Sequence, residues 1–183
     1  MEYPLRVKFR YDDSPFLIEL NNIYTQKECE NYIDLIESKK PSLATNNPLY
    51  RNQDRIIIDD NDMSQELFSR VQSSLPKKVG EFELKGINER LRFYRYAVGQ
   101  KFFPHMDHWY QVDDKQISLY SILVYFNGNF KGGETRFMEQ MDSIIKPEAG
   151  KVIIFQHKIR HEGCEVLSGT KYAARTDIIY KKP

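Results

Sequence analysis

The sequence predicts a mainly β (α+β) fold in which two N-terminal helices lean on a C-terminal β-sandwich or barrel. Short apolar runs separated by Gly, Asn, Asp and Pro turns fill the chain from Leu91 to Tyr180, as in sandwiches and barrels. The twelve Tyr and eleven Phe residues favour β-structure. We expect one domain over 1–183, with lead-in strands and supporting helices at 1–88 and the β core at 89–180.

Two amphipathic helices are predicted in the lead-in. Thr25 to Glu28 has the pattern of a capping box, and apolar residues at helical spacing then predict about three turns that end before Pro41. Asp62 or Ser64 is the expected N-cap of a second helix, which stops by Pro76.

The remaining periodic runs predict strands, and the polar stretches between them predict loops. Each run is short, is rich in β-branched or aromatic residues and is bounded by turn-forming residues. The predicted strands are 15–20, 55–59, 91–97, 101–107, 117–126, 134–138, 151–156 and 170–180. The polar stretches 45–54 and 59–62 are expected to be loops.

Charge and apolar patterning argue against nucleic-acid and membrane partners. The 27 Lys and Arg residues balance 26 Asp and Glu residues, without the basic stripe that nucleic-acid binders show. The N-terminus has no apolar signal-peptide core, and the longest apolar run, at 117–126, is too short for a membrane span. Cys29 and Cys164 do not form a disulfide framework, so we expect a reducing, cytoplasmic setting.

Three residues in the C-terminal half form a candidate metal site. His105 and Asp107 are two positions apart in a predicted strand, so their side chains should project to the same face. His161, just after a buried strand, is the third candidate, whereas His157 is expected to be a surface or supporting residue. Two imidazoles and one carboxylate with open coordination positions are typical of non-haem Fe(II) oxygenases.

The residues alone leave two other interpretations of this pattern open. A His-x-Asp pair is a short motif with a high false-positive rate, and it also fits two polar residues near a turn. Catalytic zinc accepts two histidines and a carboxylate as well, although structural zinc favours cysteine-rich sets.

A cationic strand face follows the third candidate ligand. Lys171, Arg175 and Asp177 share one face of the last predicted strand. If that face lines the interior, Asp177 can balance one cation, and the other needs an acid from outside the protein, such as a dicarboxylate. The alternative is an edge strand whose Lys and Arg face solvent.

With these residues assembled, the chain resembles the prolyl 4-hydroxylase-like branch of the Fe(II)/2-oxoglutarate-dependent dioxygenases. The matching stretches run in the family's order over about half of the chain. They are Tyr96-x-x-Gly99-Gln100, His105-x-Asp107, 123–127, Gly132-Gly133-Glu134-Thr135, Pro147-x-x-Gly150, His161-Glu162-Gly163 and Gly169-x-Lys171.

The resemblance implies a single dioxygenase domain with a double-stranded β-helix, or jelly-roll, barrel. It implies that His105, Asp107 and His161 bind Fe(II). It also implies 2-oxoglutarate as cosubstrate and O₂ as oxidant, with ascorbate as an optional reductant.

The same resemblance implies a binding site for 2-oxoglutarate. Lys171 would bind the far carboxylate, with Tyr96 and Tyr125 as further contacts. Both tyrosines also fit plain core aromatics, and Gly132-Gly133 is interpreted as a hairpin turn.

Departures from the family pattern bear on the substrate. Phe102 stands where collagen-type prolyl hydroxylases often have a tyrosine, and Trp109 stands where small residues are common. Arg175 is an extra cation that could hold an acidic group of the substrate, share the 2-oxoglutarate carboxylate or pair with an acid on its own strand. Asn52 and Arg55 are further candidates for the substrate mouth.

The function implied is hydroxylation of an unactivated C–H bond in a prolyl, amino-acid-like or small-molecule substrate, with release of succinate and CO₂. Because Asp107 occupies the position that related halogenases vacate, hydroxylation is favoured over halogenation. Two rival functions are a non-catalytic jelly-roll sensor module that binds metal or ligand, and a cupin-like zinc enzyme.

Overall fold

The computed structural model of the chain describes residues 16–45, 47–139 and 142–183. Its helices are α1 (Gln26–Ser38) and α2 (Asn61–Val71), and a 3₁₀ turn at Gln72–Ser74 follows α2. The strands are β1 (Leu17–Leu20), β2 (Ser42–Leu43), β3 (Asp54–Asp59), β4 (Lys78–Val79), β5 (Phe82–Ile87), β6 (Arg90–Tyr96), β7 (Phe102–His105), β8 (Gln116–Tyr125), β9 (Lys131–Gly132), β10 (Thr135–Phe137), β11 (Ser143–Ile145), β12 (Val152–Gln156), β13 (His161–Gly163), β14 (Val166–Ser168) and β15 (Lys171–Lys181). None of the described helices is long and apolar enough to cross a membrane.

Both helices begin at side-chain caps. The Thr25 hydroxyl accepts a hydrogen bond from the backbone N–H of Glu28, whose carboxylate accepts one from the backbone N–H of Thr25, so the predicted capping box is confirmed. The N-cap of α2 is Asp60, which accepts from a backbone N–H at 2.9 Å. The prediction of Asp62 or Ser64 as the cap was wrong, because several cap-forming side chains precede the apolar face and spacing alone does not separate them.

The strands form a large sheet and two small ones. Nine strands make the large sheet, with the order β1-β12-β8-β15-β6-β3-β2 and with β5 and β4 attached through β15. Four strands form a second sheet in the order β11-β10-β13-β7, and β14 pairs with β9. The predicted mainly β fold is confirmed, but the described strands form separate sheets rather than one closed barrel.

The two faces of the large sheet have different neighbours. Along β8, Ile122 and Val124 face the helices and belong to the larger apolar cluster, which includes the buried helix residues Cys29, Ile36, Leu67 and Val71. Leu123 and Tyr125 alternate with them and face a second cluster that contains residues of the four-stranded sheet. The helices therefore support one face, and the space between the sheets is left for a site.

Strand bounds differ from the predictions at places that matter for function. The predicted strand 101–107 ends at His105, so Asp107 lies just beyond it. The predicted loop 59–62 is shorter, because α2 already begins at Asn61. Pro15, the first residue of the predicted strand 15–20, lies outside the described residues, and the strand begins at Leu17.

The Gly132-Gly133 pair is not a hairpin turn. Strand β9 pairs with β14, whereas β10 pairs with β11 and β13, so the chain passes from one sheet to another at this point. Both glycines have positive φ, 72° and 68°, and a Cβ on Gly132 would lie 2.2 Å from the carbonyl oxygen of Glu165. The pair therefore serves a close backbone crossing.

Candidate metal centre

Three side chains from different parts of the chain converge at the β7 edge of the four-stranded sheet. His105 ends β7 and is the register partner of His161 in β13. Asp107 follows β7, and its backbone N–H donates to the carbonyl oxygen of His157 at 3.0 Å. The three candidate ligand atoms lie within 4.8 Å of one another. Nε2 of His105 is 3.7 Å from Oδ1 of Asp107, and Nε2 of His161 is 3.8 Å from its Oδ2.

Backbone carbonyl groups orient both imidazoles. Nδ1 of His105 lies 2.8 Å from the carbonyl oxygen of Phe103, and Nδ1 of His161 lies 2.9 Å from that of Ile159. A carbonyl oxygen only accepts, so each Nδ1 carries the proton and each Nε2 presents a lone pair to the centre. This tautomer is the one that binds a metal through Nε2.

Burial and charge set the protonation state of the three groups. Burial, and then the neighbouring His161, lowers the pKa of His105 to about 4, and burial also lowers the pKa of His161. Burial opposes ionisation of Asp107, but Arg175 and His161 outweigh it and hold the carboxyl pKa well below its usual range. At neutral pH the site therefore offers two neutral imidazoles and one carboxylate, which fit a divalent transition metal such as Fe(II).

Arg175 lies behind Asp107 and not at a free position in the cavity. Its Nε donates to Oδ2 of Asp107 at 3.0 Å, and a terminal nitrogen donates to Oδ1 of Asp177 at 3.0 Å. The Ser121 hydroxyl donates to the same Oδ2 at 2.5 Å and accepts from Arg175 at 3.0 Å. Of the three roles considered for Arg175, pairing with the acid on its own strand is the one that the contacts support.

His157 is a buried supporting residue. It is only 5 % exposed, and its ring nitrogens lie 2.9 Å from the Ser121 hydroxyl and 3.0 Å from the Ser118 hydroxyl. Burial lowers the pKa of His157 to about 4, so the ring is neutral near pH 7. The surface alternative for this residue was wrong, because His157 directly follows β12 and its ring packs against Ser118 and Ser121 of β8 inside the large sheet.

Lys171 provides a buried positive charge in the same cavity. Its side chain is 3 % exposed, and Nζ donates to the carbonyl oxygen of Gly133 at 2.6 Å. Nζ also lies 5.0 Å from the ring centroid of Tyr96 and 5.5 Å from that of Tyr125. Burial lowers the pKa of Lys171 to about 8, and no carboxylate among the described residues forms an ion pair with it.

One cavity joins this lysine to the three candidate ligands. Apolar and aromatic side chains make up most of its wall, and Tyr125 lies behind the wall with its hydroxyl donating to Thr135 at 2.6 Å. The lining residues are Tyr94, Tyr96, Phe102, His105, Asp107, Leu123, Thr135, Phe155, His161, Gly163, Lys171, Ala173 and Arg175. A dianion that bridges the metal side and the lysine side would fit the charges of this cavity.

The other predicted substrate residues occupy distinct places. Phe102 stacks on His105 with ring centroids 3.6 Å apart. Trp109 is half exposed and lines a neighbouring cavity, which shares Asp107 with the metal cavity but does not include Lys171. Asn52 stabilises the turn at 99–101. Its amide nitrogen donates to the carbonyl oxygen of Gly99 at 3.3 Å, and its amide oxygen accepts from the backbone N–H of Lys101 at 2.7 Å. Arg55 lies on β3, where it donates to a carbonyl oxygen.

The sequence reasoning missed Arg51 and Tyr94. Tyr94 lines the cavity two residues before Tyr96 on the same strand face, a periodicity that could have identified it. Arg51 lies over the ring of Phe102, because an isolated β-bridge pairs these two residues from distant segments. No local sequence pattern indicates this pairing.

Comparisons with known proteins agree with this geometry. The family described as the 2OG-Fe(II) oxygenase superfamily matches residues 91–176. Probable prolyl 4-hydroxylase 11 of Arabidopsis thaliana is 27% identical over 152 residues, which cover 72% of this chain and 49% of the relative. Prolyl 4-hydroxylase 1 of the same plant is 25% identical over 194 residues, which cover 88% and 68%. The chain thus spans about half the length of the first relative and about two thirds of the second.

Solved structures show the same fold. The viral collagen prolyl hydroxylase of Paramecium Bursaria Chlorella virus-1, in complex with 2OG, has a TM-score of 0.68 and 25% identity, and the match covers 92% of this chain and 98% of that one. A prolyl hydroxylase of Trichoplax adhaerens in complex with a hypoxia inducible factor peptide has a TM-score of 0.67 and 16% identity, over 88% and 82%. These likenesses confirm the predicted jelly-roll type of fold.

Proposed function

We propose that the chain is a hydroxylase dependent on Fe(II) and 2-oxoglutarate. The proposal follows from the family to which the chain belongs, the 2OG-Fe(II) oxygenase superfamily in its prolyl 4-hydroxylase-like branch. Its substrate would offer an unactivated C–H bond in a prolyl, amino-acid-like or small-molecule group. The observation that carries the proposal is one cavity that contains two imidazoles, a carboxylate and a buried lysine without an acidic partner among the described residues.

The three converging side chains would hold the metal. His105, Asp107 and His161 supply the ligand atoms, and their oriented Nε2 lone pairs and low carboxyl pKa suit Fe(II). When bound, Fe(II) with 2-oxoglutarate and O₂ supplies the oxidising power for hydroxylation, with succinate and CO₂ as co-products and ascorbate as an optional reductant. Arg175 and Ser121 fix Oδ2 of Asp107, so that the carboxylate keeps one orientation towards the imidazoles.

The lysine side of the cavity would bind the cosubstrate. Lys171 would pair with the far carboxylate of 2-oxoglutarate, and that pairing would offset the cost of burying its charge. Tyr96 lines the cavity beside the lysine, and Tyr125, which already donates to Thr135, packs behind it. The apolar wall formed by Leu123, Phe155 and Ala173 would exclude water from the reacting centre.

A prolyl residue in a peptide is the substrate that the relatives favour. The relatives are named prolyl 4-hydroxylases, and the Trichoplax adhaerens structure contains a peptide fragment. A free amino acid or metabolite is the alternative within the same proposal. We assign the activity to the cytoplasm, because both cysteines, Cys29 and Cys164, are unpaired.

The test is the visible absorption spectrum of the protein with Fe(II) and 2-oxoglutarate in the absence of oxygen. We expect a weak charge-transfer band that needs both components and is lost in His161→Ala. His108→Ala is the matched control, since His108 is an exposed histidine outside the metal set. The control should keep the band.

The alternatives give different outcomes in the same experiment. No band at saturating Fe(II) and 2-oxoglutarate would contradict the proposal and favour a zinc enzyme or a non-catalytic module. A band without succinate formation, for any prolyl peptide or free amino acid tried in air, would favour the module alone. A band together with substrate-dependent succinate supports the hydroxylase.

A further inference from the structure

We propose that the substrate carries an anionic group, a carboxylate or a phosphate, which Arg51 and Arg55 bind beside the metal cavity. This inference rests on the proposed function and adds to it the charge of the substrate. It depends on the placement of the two guanidinium groups, on their lack of acidic partners among the described residues and on unpartnered polar atoms of Arg51 and of Gln53, which lies between the arginines in the sequence.

The two arginines pair across the chain with aromatic residues of the cavity wall. Arg55 lies in β3, and Arg51 and Gln53 lie in the segment just before it. Arg55 is the register partner of Tyr94, and Arg51 bridges to Phe102. Partner residues of an antiparallel pair share a face, and both aromatic partners line the metal cavity.

The distance from this face to the metal centre is short. The guanidinium carbon of Arg51 lies 5.4 Å from the ring centroid of Phe102, and that ring stacks at 3.6 Å on His105. The Phe102 ring therefore contacts both Arg51 and a candidate ligand. A small substrate anchored here by its anionic group would direct its remaining atoms towards the metal side.

The two guanidinium groups meet at one neutral oxygen. Terminal nitrogens of Arg51 and Arg55 donate to the carbonyl oxygen of Ala44 at 3.0 and 3.2 Å. Within the described part of the chain, neither group forms an ion pair with a carboxylate. Asp54 lies between them in sequence, but it points to the opposite face and pairs with Arg95 at 3.3 Å. Two adjacent cations without an acid favour an anion that bonds to both.

Unpartnered polar atoms on the same short segment give an independent reason to expect a ligand. Gln53 is fully buried, and neither its amide nitrogen nor its amide oxygen has a hydrogen-bond partner in the described residues. Nε of Arg51 is also buried and unpartnered. Such groups are rare in folded proteins because each lost hydrogen bond destabilises the fold. Both nitrogens are donors, as an anion requires.

The cosubstrate does not account for these arginines. The lysine that would pair with 2-oxoglutarate is Lys171 on β15, which donates to Gly133, whereas Arg51 and Arg55 belong to β3 and the segment before it. Arg175, the other cation in the cavity, already pairs with two acids. Arg51 and Arg55 are therefore available for a separate anion.

The direct test measures binding of inorganic phosphate near the metal. The protein is loaded with Mn(II) and saturating 2-oxoglutarate, and the ³¹P line width of added phosphate is recorded, because a paramagnetic ion broadens nearby nuclei. The variants are Arg51→Gln and Arg55→Gln. Arg136→Gln is the matched control, since Arg136 is exposed on β10 and lies 3.9 Å from Glu162. Arg55→Lys keeps the charge but loses the planar fork.

We expect the excess line width to fall about 10-fold or more in both glutamine variants, to fall less in Arg55→Lys and to be unchanged in Arg136→Gln. Retained Mn(II) binding by every variant shows that the metal site is folded. Equal broadening in wild type and both glutamine variants would overturn the inference and leave the proposed function intact. Failure of the wild type to bind metal or 2-oxoglutarate would overturn both.

Turnover separates the two possible sources of the anion. Succinate release is measured with prolyl peptides flanked by Asp or Glu, with their Asn and Gln counterparts and with free amino dicarboxylic acids. Preference for the acidic peptides supports an acidic peptide segment, and preference for the free acids supports a metabolite. In either case KM should rise about 10-fold or more in Arg55→Gln for the acidic substrate. Preference for the neutral peptides would contradict the inference.

Discussion

Replacement of Lys171 by methionine should stabilise the ligand-free protein and abolish its response to 2-oxoglutarate. Lys171 is 3 % exposed, and burial lowers its pKa from 10.5 to about 8. Maintaining the charged form at pH 7 therefore costs about 3 kcal/mol. Methionine fills a similar volume without charge, and loss of the hydrogen bond to Gly133 offsets the gain by about 1 kcal/mol.

The net gain of about 2 kcal/mol corresponds to a rise of roughly 4–8 °C in Tm for a domain of this size.

The pH dependence of the free energy of unfolding has a definite sign. Between pH 8 and 10.5 the unfolded lysine is protonated and the folded one is not, so the unfolded state binds more protons. The free energy of unfolding of the wild type should therefore rise with pH across that window, and the variant should lack this rise.

The assay is thermal unfolding followed by circular dichroism, with and without Mn(II) and 2-oxoglutarate. At 100 times its Kd the ligand should stabilise the wild type by about 2.7 kcal/mol and the variant by much less. Lys151→Met is the matched control, because Lys151 is also buried but pairs with Glu148 at 2.9 Å and Glu19 at 3.6 Å. It should lower Tm. A Lys171→Met protein that is less stable than the wild type, or that still responds to 2-oxoglutarate, would refute the reasoning.

Three further substitutions test the centre and its supports. Arg175→Met should reduce Mn(II) affinity about 10–100-fold by calorimetry, because Asp107 loses the cation that fixes its Oδ2. Asp60→Ala should lower the free energy of unfolding by about 1 kcal/mol in urea denaturation, because α2 loses its N-cap. Gly150→Ala should cost about 2–4 kcal/mol in the same assay, because φ is +79° and the new Cβ would lie 2.0 Å from the carbonyl oxygen of Tyr24.

Each of these changes has a control that alters the same chemistry elsewhere. Arg92→Met removes an arginine that pairs with Asp177 but does not contact the metal set, so Mn(II) affinity should change little. Asp62→Ala removes an acid from the first turn of α2 without removing the cap. Gly86→Ala places a Cβ in open space on β5 and should be nearly neutral. Unchanged or tighter metal binding in Arg175→Met would mean that Arg175 competes with the metal for the carboxylate.

The candidate ligands could be identified from the sequence because they combine local periodicity with an ordered set of motifs. His105 and Asp107 are two residues apart, and Lys171 follows His161 at the spacing of the family that the chain resembles. The structure brings the three ligand atoms within 4.8 Å and places the lysine in the same cavity. The register that pairs His105 with His161 depends on contacts between distant strands, and no local pattern encodes it.

What the sequence did not predict depends on tertiary contacts. Strand β5 was missed because its alternation of apolar and charged residues covers only Phe82 to Lys85 before Gly86 interrupts it, and its pairing with β15 extends the strand to Ile87. The partners of Arg175 also remained open, since the choice among substrate, cosubstrate and acid depends on where Asp107 lies after the end of β7. The predicted caps of α2, Asp62 or Ser64, lie two and four residues after the observed cap Asp60, because neighbouring Asp and Ser side chains have similar capping propensity.

The charges around the cavity connect the metal site to the substrate. Arg175 and Arg92 are balanced by Asp107 and Asp177, so this buried group needs no further partner. Bound Fe(II) and Lys171 would together carry one charge more than the dianion 2-oxoglutarate neutralises. Arg51 and Arg55 would add to this excess, because no acid of the described chain pairs with either of them. A substrate that enters without negative charge would leave these cations partly desolvated and unpaired, which is costly. An anionic substrate would remove that cost on binding, so the same excess positive charge would favour acidic substrates over neutral ones of equal shape.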